Sequence, residues 1–180
     1  MPDRIRRFAD LPITPWRNGK GRKADIATGE GWQLSFAWIE AVAPFSAYTG
    51  QDRIITLLEG PGFRLSFADH APVVVDRPAT PTIFSGDWAV ECQPLGGPSM
   101  VLNLIAARVR WQASVEIVEL AGELAVMPLS GPCHAVLLEG DAAIANGPAL
   151  ARHDTLQVAG RLVLQGPRAR LALARLAPRQ

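Results

Sequence analysis

Cysteine, histidine, tyrosine and long apolar runs are all scarce in this chain, and each scarcity closes off a class of function. Two cysteines occur, Cys92 and Cys133, too few and too far apart for a disulfide framework or a zinc site. Both sit in apolar surroundings and read as inert core thiols. The three histidines, His70, His134 and His153, include no pair at the i, i+2 or i, i+4 spacing of a metal site, so neither metal nor other cofactor is expected. No nucleophile elbow is present: Ser46 and Ser85 lie in turns near glycine, with no histidine in a recognisable relation to either. Glu116 and Glu119 are three apart in a strand-like run and so face opposite ways. No catalytic residue is assigned on these grounds. No uncharged stretch approaches a membrane span, and the basic N-terminus MPDRIRRFADLP lacks the apolar segment of a secretory signal. A cytoplasmic protein with no membrane partner is the expectation.

The net charge of +1 conceals a segregation. Residues 1–25 carry seven Lys and Arg against three acids, residues 152–180 carry six against one, and the stretch between carries five against thirteen. Basic ends on an acidic middle suggest that the termini pack back onto it, and they argue against a free nucleic-acid surface.

Helical periodicity is almost absent, and fifteen prolines and sixteen glycines punctuate the chain. Strand patterns fill the space between them. In WQLSFAWIE, Trp32, Leu34, Phe36 and Trp38 alternate with Gln33, Ser35 and Ala37, a strand with two unlike faces. RIITLLEG from Arg53 is nearly all apolar, as in a strand buried on both sides. FRLSF, SVEIVEL, HAVLLEG, RLVLQG and RARLALARL continue the theme. Many short strands with turns between them predict an all-β sandwich or barrel. LLEG recurs at an offset of 80 (Leu57 and Leu137), and GPSMVLNLIAARV from Gly97 is echoed by GPRARLALARLAP from Gly166 at an offset of 69. The shared order predicts a duplicated unit: a first barrel over 1–110 holding a ligand pocket, and a shorter one over 111–180. In this alignment Asn103 falls opposite Ala172, which makes the first half the better candidate for a site, since a polar residue in an apolar strand needs a partner.

The stretch TPWRNGKG from Thr14 fails as a phosphate loop, because the glycine spacing is wrong and neither Ser nor Thr follows Lys20. What remains is a polar set of Asn18, Ser35, Arg53 and Asn103, with Lys20 beside the first. Arg53 offers a fork of donors suited to a carboxylate. Equally, it could be paired with its neighbour Asp52.

PWRNGKG, W-x-LSFAWIE, APFSAYTGQDRIITLLEG, FSGD and GGPSMVLNL together resemble the HutD/Ves family, in order from Pro15 to about Arg108. The resemblance implies a double (bicupin) barrel of the RmlC-like cupin type and an association with histidine utilisation. The chain departs from the family pattern at Lys20, at Lys23-Ala24-Asp25 and at Val101. The resulting expectation is a binding protein without cofactor that senses a small acidic metabolite, such as a histidine-degradation intermediate. Asn18, Ser35, Arg53, Asn103 and Lys20 would be its ligand-binding residues. A metal-dependent cupin oxygenase or isomerase is the alternative, and a homodimer formed through exposed strand edges is a further possibility.

Overall fold

The computed structural model describes residues 4–16 and 19–179. Among them there is no α-helix, and none is therefore long and apolar enough to cross a membrane. The all-β expectation holds. In chain order the strands are β1 (Arg4–Arg6), β2 (Ile13–Pro15), β3 (Gly21–Gly29), β4 (Trp32–Ile39), β5 (Ala43–Pro44), β6 (Gln51–Glu59), β7 (Phe63–Phe67), β8 (Val73–Val75) and β9 (Pro81–Ser85). They continue with β10 (Val90–Pro94), β11 (Ser99–Ala107), β12 (Trp111–Val126), β13 (Cys133–Gly140), β14 (Ala142–Ile144), β15 (Ala149–Leu150), β16 (Thr155–Gln157) and β17 (Leu162–Pro178). One turn of 3-10 helix spans Phe8–Asp10.

The chain divides into two compact units, Pro12–Arg110 and a second made of Met1–Leu11 with Trp111–Gln180. The division falls after residue 110, and residues 1–11 go with the second unit. Their attachment has a clear cause. Strand β1 adds to the edge of β16, with Ile5 opposite Leu156 and packed on the core. Asp154, only 1% exposed, accepts from Arg7 Nη1 at 2.6 Å and from the backbone N–H of Phe8 at 2.9 Å. A buried carboxylate that lost these donors would be left uncompensated.

In the first unit a six-stranded sheet, β2-β3-β4-β11-β6-β9, lies across from a four-stranded sheet, β5-β10-β7-β8. Ile39, Ile55, Leu57, Phe63, Leu65, Val75, Phe84, Cys92 and Val101 form the core of this unit. Strand β6 is buried on both faces from Arg53 to Leu58, as its apolar run foretold. Strand β4 departs from the two-faced reading. Leu34, Ser35, Phe36 and Ala37 are all buried, because the Leu34 and Phe36 face is covered while Ser35 and Ala37 turn toward the interior. In the second unit a seven-stranded sheet runs β1-β16-β13-β17-β14-β15, with β12 paired along β17.

The internal repeat is real at the level of pairing. In the first unit Leu57 sits opposite Val101 and Glu59 opposite Met100, with Leu58 bulged out. In the second, Leu137 sits opposite Leu171 and Glu139 opposite Arg170, with Leu138 bulged out. Gly60 and Gly140 follow with φ of +93° and +83°, and a Cβ on either would collide with the carbonyl oxygen of Pro98 or Arg168. Only glycine meets both demands. The pairing sets the offset of the second strand at 70 (101 to 171), not 69. The counterpart of Asn103 is thus Leu173 rather than Ala172. The terminal cations do pair with the acidic middle: Arg22 with Glu40, Arg170 with Glu119 and Glu139, and Arg175 with Glu116.

Candidate functional site

Register on the six-stranded sheet decides which side chains meet. Lys23, Ala37, Val101 and Leu57 form one cross-strand row over β3, β4, β11 and β6. Two residues along lies the row Asp25, Ser35, Asn103 and Ile55, and two further lies Gln33, Ile105 and Arg53. Since alternate residues of a strand share a face, these rows make one surface, and its members other than Asp25, Leu57 and Ile105 line a cavity of about 520 Å³ within the first unit. That volume is typical of a small-molecule site, for which ~300–1,000 Å³ is usual. Ile39, Ile55 and Val101 give it an apolar floor. Ser35, Asn103, Gln33, Arg53 and Lys23 supply polarity, and Pro44–Tyr48 form a wall with Trp16.

Arg53 is the unusual member. Its side chain enters the interior from the third residue of β6 and stays 6% exposed. The guanidinium carbon lies over three aromatic rings, 4.7 Å from Phe45, 5.1 Å from Phe84 and 5.3 Å from Tyr48. Nη2 donates to Asn103 Oδ1 at 3.5 Å, the limit of a hydrogen bond, and Nε has no partner among the described residues. Burial pushes the guanidinium pKa down to about 10, with Tyr48 and then Cys92 opposing the shift. Beneath it, burial drives the Cys92 thiol up to about 12, so it stays protonated.

The alternative partner, Asp52, is taken. Its carboxylate accepts from Arg108 Nε at 2.8 Å, and the same guanidinium reaches Asp87, Ser85 and the carbonyl of Gln51. Adjacent residues of β6 point to opposite faces, so Asp52 serves Arg108 outside while Arg53 is left inside with rings, an amide and the cavity. Aromatic faces recover part of the desolvation cost, ~0.5–2 kcal/mol per favourable contact.

Of the residues expected from sequence, Ser35, Arg53 and Asn103 line the cavity together. Lys20 is exposed and lies outside the lining residues. Asn18 falls outside the described residues. Sequence reasoning missed Lys23, Gln33, Phe45, Tyr48 and Phe84. Gln33 could have been found, since it shares the period-two face of Ser35. The aromatic collar could not, because Phe45 and Tyr48 sit in a loop where no period operates.

His70 lies on an exposed bend, its ring centroid 3.8 Å from that of Trp88 with the planes inclined by 30°, while His134 and His153 are buried in the second unit. No group of three or more His, Cys, Asp or Glu among the described residues is placed to hold a metal ion.

A family model described as HutD matches residues 8–175. The chain is 39% identical over 117 residues to an uncharacterised 21.2 kDa protein in the hutC 3′ region of Pseudomonas putida. It is 34% identical over 116 residues to Protein Ves of Citrobacter koseri. Each alignment covers 61% of this chain, and the chain spans about three fifths of each relative, 61% and 60%. The solved structure of HutD from Pseudomonas fluorescens superposes with a TM-score of 0.85 at 27% identity, over 99% of this chain and 100% of that one. A cupin 2 conserved barrel domain protein from Leptotrichia buccalis shares the fold alone, with a TM-score of 0.68 at 7% identity over 97% and 96% of the two chains.

Proposed function

The chain belongs to the HutD family of cupin-like proteins, and from that premise we propose that its first unit binds a small carboxylic acid and acts as a sensor or regulator rather than a catalyst. One observation carries the reading: a buried guanidinium, caged by three rings and lacking a carboxylate partner among the described residues, lines a ligand-sized cavity. A cation so placed is costly unless something pairs with it, and a ligand carboxylate meets its fork geometry. Ser35 and Asn103 would hydrogen-bond the remaining polar groups of the acid, with Asn18 and Lys20 as further candidate contacts to it. Because one relative is named for the hutC region, histidine-degradation intermediates such as formylglutamate and urocanate are the acids to try first. The two units are read as a pair of cupin-type barrels, the first open and the second filled, in a cytoplasmic protein.

Thermal denaturation against formylglutamate, urocanate, glutamate and histidine tests the reading, because a ligand that binds only the folded state raises Tm with its concentration. A shift with one acid, lost in Arg53→Met, is expected. No shift with any acid, together with a large one on adding iron or zinc, would favour a metal-dependent cupin enzyme instead.

A further inference from the structure

Among the described residues lining the cavity, Arg53 is one of two cations, Lys23 is the other, and none is a carboxylate. The two stand at opposite corners of the sheet face. Lys23 is on β3 and Arg53 on β6, three strands apart, and their rows are four residues apart along the strands. Strand spacing and rise convert this to about 14 Å across and about 13 Å along on a flat sheet, and curling brings the corners nearer. Both side chains are long, so their charged ends can approach much closer than their Cα atoms. Ser35 and Asn103 lie at the middle of the diagonal, opposite each other on β4 and β11.

Lys23 is engaged, but weakly. Its Nζ contacts both carboxylate oxygens of Asp25 at 2.9 Å, two residues along the same strand. The side chains are 38% and 44% exposed, and an ion pair in that setting contributes little and is readily exchanged. A second anionic group entering the cavity can displace Asp25 from Lys23 with small loss. Among the described residues Arg53 has no such competitor, since Asp52 is held by Arg108.

We propose that Lys23 is a specificity-determining residue that selects short dicarboxylic acids, one carboxylate on Arg53 and the other on Lys23, with Asp25 as the internal anion that the second carboxylate replaces. This rests on the reading of the cavity as a carboxylate site and adds to it the charge and span of the ligand.

Glutarate and its monoamide are matched in length and differ by one charge, so calorimetric titration of both into the wild type, Lys23→Met and Asp25→Asn separates the terms. Glutarate is expected to bind wild type about tenfold more tightly than the monoamide, the worth of one charged hydrogen bond in a partly wet site. In Lys23→Met the two should bind alike, at the monoamide's affinity. In Asp25→Asn, with the competitor gone, glutarate should tighten severalfold and the monoamide should not. Equal binding of the two acids by wild type would overturn the role of Lys23 while leaving the Arg53 site standing. Failure of both to bind would overturn the carboxylate site, and this inference with it. Lys23 and Asp25 are exposed enough that both variants should fold, which circular dichroism would check.

Discussion

The two units build the same strand pair to opposite ends. On β6 and β11 the inward positions are Arg53, Ile55 and Leu57 opposite Ile105, Asn103 and Val101. On β13 and β17 the matching positions are Cys133, Ala135 and Leu137 opposite Arg175, Leu173 and Leu171. In the second unit Cys133, Ala135, Leu137, Leu171 and Leu173 all belong to one apolar core. Its arginine at this level, Arg175, is on the other strand and is paired with Glu116. In the first unit the arginine points inward without a carboxylate partner among the described residues, an asparagine replaces the leucine, and a cavity occupies the space. Bulge, glycine and register are common to both, so the backbone does not decide between core and pocket. A few side-chain identities do.

Exchanging those identities should have the largest effect. Leu173→Asn puts an amide into a filled core where Leu173 is 2% exposed. Lost burial plus an unsatisfied amide should cost about 3–5 kcal/mol, much of a typical domain's stability, readable in a urea titration. The reciprocal Asn103→Leu should leave stability within about 1 kcal/mol, because the amide's bond to Arg53 is at 3.5 Å, but should weaken carboxylate binding. Equal costs for the two changes would mean that the first unit is as tightly filled as the second.

Acid should divide the units next. Burial, with a smaller contribution from Arg6, lowers the His134 pKa to about 4 from its ordinary 6.5. The unfolded chain then binds this proton more readily than the folded one, so stability falls as pH drops from about 6.5 to about 4 and levels off below. The full shift corresponds to roughly 3 kcal/mol. Hydrogen exchange at pH 7 and pH 4.5 should show protection lost first on β13 and β16 in the second unit, and His134→Gln should flatten that dependence. Earlier loss from the first unit would show that other groups dominate.

The difference between the units was partly legible in the sequence. LLEG and the Gly-Pro strands gave the duplication because bulge and glycine leave local marks, and Asn103 stood out as polar in an apolar run. The one-residue slip to Ala172 arose because Gly-Pro anchors a turn, whereas the strand that follows is registered by cross-strand pairing, which sequence spacing does not contain. The cage around Arg53 was invisible for a related reason. Phe45 and Tyr48 come from a loop and Phe84 from β9, and nothing local assembles them. Nor could sequence say whether Asp52 pairs with Arg53, since its actual partner, Arg108, is 56 residues away.

That choice of partner yields the smallest and most discriminating prediction. Arg108 is bonded to Asp52, Asp87 and Ser85 at an exposed corner. These bonds hold its own pKa up, and the Gly50 N–H, Ser85 and Arg108 hold that of Asp87 down. Such a corner contributes little, so Arg108→Gln should barely move the unfolding midpoint. The change frees the Asp52 carboxylate one residue from Arg53, and two outcomes are conceivable for the pocket. If strand geometry separates them, Asp52 stays on the outer face, Arg53 stays available to the acid, and acid binding is unchanged. If the carboxylate swings inward it neutralises Arg53, and binding falls by far more than the stability does. Alternation along β6 predicts the first. A large loss of acid binding in Arg108→Gln would show instead that Arg108 keeps the pocket cation available by holding its nearest carboxylate away.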